Sequence, residues 1–220
     1  MKRNLDYRNT STCKPLVKVK EKKACLHKKI VANHPKTKII YNKIKDRKNK
    51  YFREFLKIYN EKCAYCSITT KSVGQDRMEI DHFINEGSFS DCIDGRVIAG
   101  KVENLVLACS TCNGNKNDFY IETMYQSILN PDDGSIARVF YRCDEYYIKI
   151  NNDYINDNFI QIFYEQIKFG AEIRRLDYLL LEMENFAQIL DSTNPIKANE
   201  LYKYIFQLTQ RRNLVLNTWI

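Results

Sequence analysis

The chain has no apolar run near the ~20 residues that a membrane-spanning helix needs. Its first residues, Met1 to Asp6, lack the apolar stretch of a secretory signal. Membrane-embedded and exported classes are set aside on these grounds, and the expected location is the cytoplasm. No internal repeat occurs at the spacing of solenoids. Acidic residues are scarce in the first fifty positions, where 3 Asp/Glu face 17 Lys/Arg, whereas the remainder has 24 against 18. A basic segment on a mildly acidic body reads as a polyanion-binding arm, because each Lys or Arg near a phosphate releases condensed counterions. The competing reading is a solvated leader with no partner.

What the chain does have is 220 residues, 44% of them hydrophobic, enough for one sizeable core or two small ones. Eight cysteines could suggest a disulfide framework, but that needs an oxidising compartment. Reduced thiols or metal ligands are therefore expected. Residues 1–41, with Pro15 and Pro35 and no periodicity, read as a basic arm, extended or with a short helix at most. On this reading, removing residues 1–35 weakens nucleic-acid binding and leaves the catalytic centre intact.

Residues 42–125 read as the core. An amphipathic helix is predicted from Asn42 up to Cys63, with Ile44, Tyr51, Phe52, Phe55, Ile58 and Tyr59 on its apolar face. A stretch rich in Cys, Asp, His and Asn follows. Residues 126–220 read as a β-hairpin, formed by Ile136 to Tyr141 and Tyr146 to Ile150, followed by helices. One long helix is predicted from Phe159 to Leu190, and a final helix carries Leu201, Tyr204, Ile205 and Leu208. Their apolar stripe packs on the body or forms a seam with a second copy or a partner protein.

The strongest chemical signal is a pair of knuckles, Cys63-Ala64-Tyr65-Cys66 and Cys109-Ser110-Thr111-Cys112. Two Cys-x2-Cys units brought together supply four thiolates in tetrahedral geometry, which makes a closed, structural zinc site. Cys13, Cys25, His27 and His34 fit no common finger spacing, and Cys92 and Cys143 read as buried small hydrophobes.

Between and just beyond the knuckles lie Glu79, Ile80, Asp81, His82 and Phe83, then Asn104 to Leu107, then Asn113 and Lys116. Hydrolysing a phosphodiester needs a base to take a proton from water, and the imidazole of His82, with an ordinary pKa of ~6.5, suits that near neutral pH. Asp81 and Asn113 offer two hard oxygen ligands for a divalent metal, which favours Mg2+ or Mn2+. Lys116 is expected at a helix surface, facing a phosphate. Each residue also has a plainer reading: His82 as a satisfied core histidine, Asn113 as a helix cap, Lys116 on a solvated face, and Asn117 as a surface amide.

The Asp81–His82 pair, Asn104, Asn113 and the knuckle frame resemble the HNH family of nucleases, in its zinc-knuckle-framed form. The resemblance spans about Cys63 to Asp118. It implies two antiparallel strands, a helix and one metal between them, with Asn104 bracing the loop that orients His82. The sequence departs from the family after His82, where Ile84 to Phe89 replace the usual proline and glycine pair. The region from Phe169 through Arg174, Arg175 and Leu176 is similar to the helical tail of some bacterial HNH proteins from defence-associated loci, and a defence or mobile-element role is implied on that basis.

The expectation is thus an α+β protein. Its zinc-stapled ββα-metal nuclease core carries a basic N-terminal arm and a C-terminal hairpin with helices, and it cuts DNA with a divalent metal. The alternatives are a non-catalytic zinc module that binds nucleic acid and a zinc-stabilised scaffold for a protein partner.

Overall fold

The structure, a computed structural model, describes residues 6–10 and 15–218. Helices dominate, with two separate two-stranded antiparallel sheets, so the class is α+β. The helices that matter for the site are α1 (Val19–Asn33), α2 (Tyr41–Ile44) and α3 (Lys50–Ile58). The first sheet pairs β1 (Met78–His82) with β2 (Leu105–Cys109), in a register that sets Met78 opposite Cys109 and His82 opposite Leu105. Helix α4 (Ser110–Lys116) follows β2 directly and packs on the sheet, giving a ββα unit.

The described part of the basic arm departs from the extended form predicted for it. Lysines hide a four-residue apolar period in α1, where Val19, Lys23, Leu26 and Ile30 are buried against the core. The Lys23 ammonium lies 2.5 Å from Asp132 and 3.0 Å from the Glu103 carbonyl, and the Tyr59 hydroxyl donates to the same Asp132 carboxylate at 2.6 Å. Further upstream, buried Tyr7 donates to the Tyr65 carbonyl at 2.6 Å, and Arg8 donates to the carbonyls of Ala64 and Pro131. The described residues 6–10 and α1 are therefore anchored in the core. Removing residues 1–35 would take Tyr7, Arg8, Val19, Lys23, Leu26 and Ile30 out of that core, against the expectation that the segment is dispensable for the body.

The helix predicted from Asn42 to Cys63 is interrupted between α2 and α3. Asp46 accepts the Lys48 backbone N–H, and Asn49 caps α3 by accepting the Tyr51 N–H at 3.2 Å. Side-chain competition for backbone donors breaks the period that the apolar residues set. Helix α3 then buries Tyr51, Phe52, Phe55, Leu56 and Ile58.

Beyond the site, the second sheet pairs β3 (Phe140–Arg142) with β4 (Ile148–Ile150). The predicted hairpin is thus shorter than expected. Ile136–Val139 is a helical turn that buries Ile136 and Val139, entered through Asp133, which accepts both the backbone N–H and the hydroxyl of Ser135. The predicted long helix divides into α5 (Asn158–Gln166) and α6 (Glu172–Thr193). Lys168 takes a positive φ of 55°, and a Cβ on Gly170 would sit 2.5 Å from the Tyr164 hydroxyl. The chain turns there to bury Phe169. Helix α7 (Pro195–Thr218) runs back along α6, and Tyr202 reaches Asp191 while Arg212 reaches Asp177.

One apolar cluster includes residues from Tyr7 to Phe169, spanning all three predicted segments, and α6 adds Ile173, Leu176 and Tyr178 to the buried set. Among the described residues, no helix is long and apolar enough to cross a membrane. Cys92 is exposed and Cys143 half-buried, against the expectation that both fill core space. Cys92 lies in the loop beyond His82, away from the strands and helices that build the core. Cys13 lies outside the described residues.

Candidate active site and zinc centre

The two knuckles meet. Residues 62–69 form a tight turn closed by the Lys62–Thr69 bridge, and the Ala64 N–H donates to the Leu107 carbonyl at 2.7 Å, which lays the first knuckle against β2. The second knuckle is the junction of β2 with α4, where the Cys109 sulfur accepts the Cys112 N–H as the helix cap. All four Sγ atoms are buried and lie within 4.8 Å of one another. Cys66 Sγ and Cys109 Sγ are 3.8 Å apart, the edge expected of a tetrahedron with Zn–S bonds of about 2.3 Å. Among the described residues this is the one cluster of three or more such side chains placed to hold a metal. The donor set fits zinc with no position left for substrate, which makes the site structural.

Burial pushes the Cys63 and Cys112 thiols well up, while hydrogen bonds from its thiol neighbours hold Cys109 well down. Arg174, from α6, is buried beside them with Nη1 3.8 Å from Cys109 Sγ. A cation there offsets part of the excess negative charge of four thiolates around Zn2+. This compensating charge thus comes from a helix more than sixty residues downstream.

The candidate catalytic residues sit on the two faces of β1, as a period of two requires. Glu79 and Asp81 share the face covered by α4. Asn113 Nδ2 donates to Glu79 Oε2 at 2.7 Å, and one turn along the helix Lys116 Nζ reaches Asp81 Oδ1 at 3.1 Å and the His82 carbonyl at 2.8 Å. The Tyr65 hydroxyl, from the first knuckle, donates to Asp81 Oδ2 at 2.7 Å. Both oxygens of this buried carboxylate are therefore engaged. Burial raises the Asp81 pKa, and the positive charge of Lys116 and the hydrogen bonds from Tyr65 and Lys116 counter it.

Lys116 was expected at the helix surface but is 1% exposed. Its place under α4 as the counter-ion of Asp81 takes it away from any phosphate. Glu79 and Tyr65 carried no assigned role in the sequence. The first could have been found from its position two residues before Asp81 on one strand; the second depends on a knuckle fold that spacing alone does not give.

His82 ends β1 on the opposite face, half-buried, with its ring centroid 4.3 Å from that of Tyr41. Burial lowers its pKa below 6.5; Glu86 raises it, while Lys116 and Lys45 lower it further. The neutral imidazole is therefore the form present at pH 7. Asn104 holds the segment that follows: its Oδ1 accepts the Ile84 N–H and its Nδ2 donates to the Ile84 carbonyl, both at 2.8 Å, and also to the Ala99 carbonyl at 2.9 Å. Asn85 and Asp118 hydrogen-bond across the loop that replaces the family's proline and glycine pair. Asn117 is exposed.

The family model described as HNH endonuclease matches residues 63–119, the interval that holds both knuckles, both strands and α4. That segment is similar to HNH endonuclease domains. No curated protein and no solved structure matches the chain. Within the matched segment, Asp81, Glu79 and Asn113 carry oxygen atoms of the hard type on the face covered by α4. Asp81 reaches a divalent cation only by releasing Lys116 or by turning an oxygen from Tyr65, whereas Glu79 and Asn113 are half-buried at the edge of α4.

Proposed function

We propose that the HNH-like domain is a metal-dependent endonuclease that hydrolyses phosphodiester bonds, with DNA as substrate, in a cytoplasm that keeps its thiols reduced. The observation that carries this reading is the neutral, half-exposed His82 imidazole at the end of a strand whose other face presents Asp81 and Glu79. His82 takes a proton from water as the water oxygen bonds to phosphorus. The bond from phosphorus to the leaving oxygen breaks, and that oxygen is protonated from solvent. Asn104 positions the His82 loop, and Asp81 and Asn113, joined by Glu79, would hold the divalent cation once Lys116 or Tyr65 releases an Asp81 oxygen. When bound, that ion offsets charge on the phosphate and the leaving oxygen. The Cys63, Cys66, Cys109 and Cys112 zinc staples the frame.

A second reading is favoured by one observation, the engagement of both Asp81 oxygens by Lys116 and Tyr65. If that arrangement persists with substrate, the domain binds nucleic acid without cutting it. Incubation of supercoiled plasmid and of a structured RNA with the purified protein, with and without Mg2+ or Mn2+, decides between them. Cleavage that needs either ion supports the nuclease. Binding without cleavage under every condition supports the second reading.

A further inference from the structure

Among the described residues of the first fifty positions, the basic side chains include two sets that the charge total conceals. Three lysines of α1 are committed internally: Lys20 to Asp133, Lys23 to Asp132 and Lys29 to Glu54. In the segment from α2 to the start of α3, among the described residues, no acidic side chain pairs with Lys43, Lys45, Lys48 or Lys50. Four of the five cations of this segment, Lys45, Arg47, Lys48 and Lys50, are exposed.

This segment is fixed beside the candidate catalytic histidine. Lys45 Nζ lies 4.8 Å from the centroid of the Tyr41 ring, and that ring lies 4.3 Å from the ring of His82. Arg47 Nη2 donates to the Met78 carbonyl at 3.1 Å, at the first residue of β1, so both ends of the strand are tied to the segment. The Tyr41 N–H donates to the Gly100 carbonyl at 3.2 Å. A Cβ on Gly100 would come within 2.8 Å of Ile39 Cγ2 and 3.4 Å of Tyr41 Cβ, which keeps the two segments in close approach. Asn104, through Ala99 and Ile84, braces both the turn that meets Tyr41 and the loop that leaves His82.

We propose that Tyr41–Lys50 is the substrate rim of the HNH-like domain, in which unpaired lysines led by Lys45 take the phosphate backbone of a nucleic acid and Tyr41 positions the His82 ring. The inference rests on the nuclease reading and adds to it a binding surface outside the segment that matches the family. Unpaired, exposed lysines keep their counterions to release on binding, whereas paired ones have already exchanged them for carboxylates. Tyr41 limits the orientations open to the imidazole, as an aromatic neighbour in contact does.

The test measures binding by fluorescence anisotropy on a labelled 30-base-pair DNA and the matching RNA over a range of KCl, in a His82→Ala background, together with steady-state cleavage in the parent background. A triple variant, Lys45→Gln, Lys48→Gln and Lys50→Gln, is expected to bind more weakly. Its slope of log K against log salt should be smaller by about two to three on duplex DNA. A control with Lys20→Gln and Lys29→Gln, the two exposed lysines of α1 already paired with carboxylates, should shift much less. Lys45→Gln alone should raise KM and spare kcat, whereas Tyr41→Ala should lower kcat by about ten- to a hundredfold with a smaller change in KM. Tyr41→Phe should restore the rate that Tyr41→Ala loses. An unchanged salt slope in the triple variant, or a larger loss in the α1 control, overturns the rim. A parent protein that neither binds nor cuts either probe overturns the nuclease reading itself.

Discussion

A buried lysine and a buried aspartate share the space between β1 and α4, and among the described residues neither has another partner of opposite charge in hydrogen-bond contact. Breaking such a pair from one side leaves a charge stranded, which costs about 3–5 kcal/mol. Lys116→Met is therefore expected to lower stability by about that amount in urea denaturation. The double variant with Asp81→Asn should be less destabilised than the two single losses combined. At His82 the linkage has a definite sign. Burial holds its pKa below 6.5, so the folded chain disfavours the imidazolium, and the associated stability, present above the unfolded pKa, is lost as pH falls. The acid limb of kcat/KM should accordingly lie below pH 6.5; a limb at or above that value would remove His82 as the group responsible.

At the scale of elements, zinc is expected at about one per chain through four thiolates, and metal analysis of Cys63→Ser and Cys109→Ser variants checks it. Arg174→Met should speed zinc transfer to a colorimetric chelator, reflecting about a 10- to 100-fold loss of affinity, as for other groups that support metal ligands. Retention equal to the parent's would remove Arg174 from the centre. The knuckles were legible because their signal is local, a Cys-x2-Cys spacing, and the strands because the resemblance carried by the Asp81–His82 pair implies them. The helix breaks were not, because they depend on side chains competing for the backbone, as Asn49 does, or on a close approach such as Gly170 to Tyr164. Lys116 was misplaced for a related reason. A helical lysine reads as solvated until the partner that buries it is known, and Asp81 is 35 residues away in sequence.

At the scale of the whole molecule, the basic arm shows how composition can mislead about architecture. Its charges suggested a free appendage, yet Lys23, Leu26 and Ile30 serve the same core as β2 and α3. A chain lacking residues 1–35 should lose cooperative unfolding in a thermal melt followed by circular dichroism, because Asp132 is left buried without Lys23. A sharp transition near that of the parent would show that the body folds alone.

The proposed phosphodiester hydrolysis by this protein depends on His82 acting as the base. Single-turnover cleavage of one labelled DNA with Mg2+ or Mn2+, by the parent and by His82→Ala at matched saturation, measures this most directly. The prediction is a rate loss of about 10²–10⁴ with DNA binding retained. Equal rates for the two proteins would contradict it.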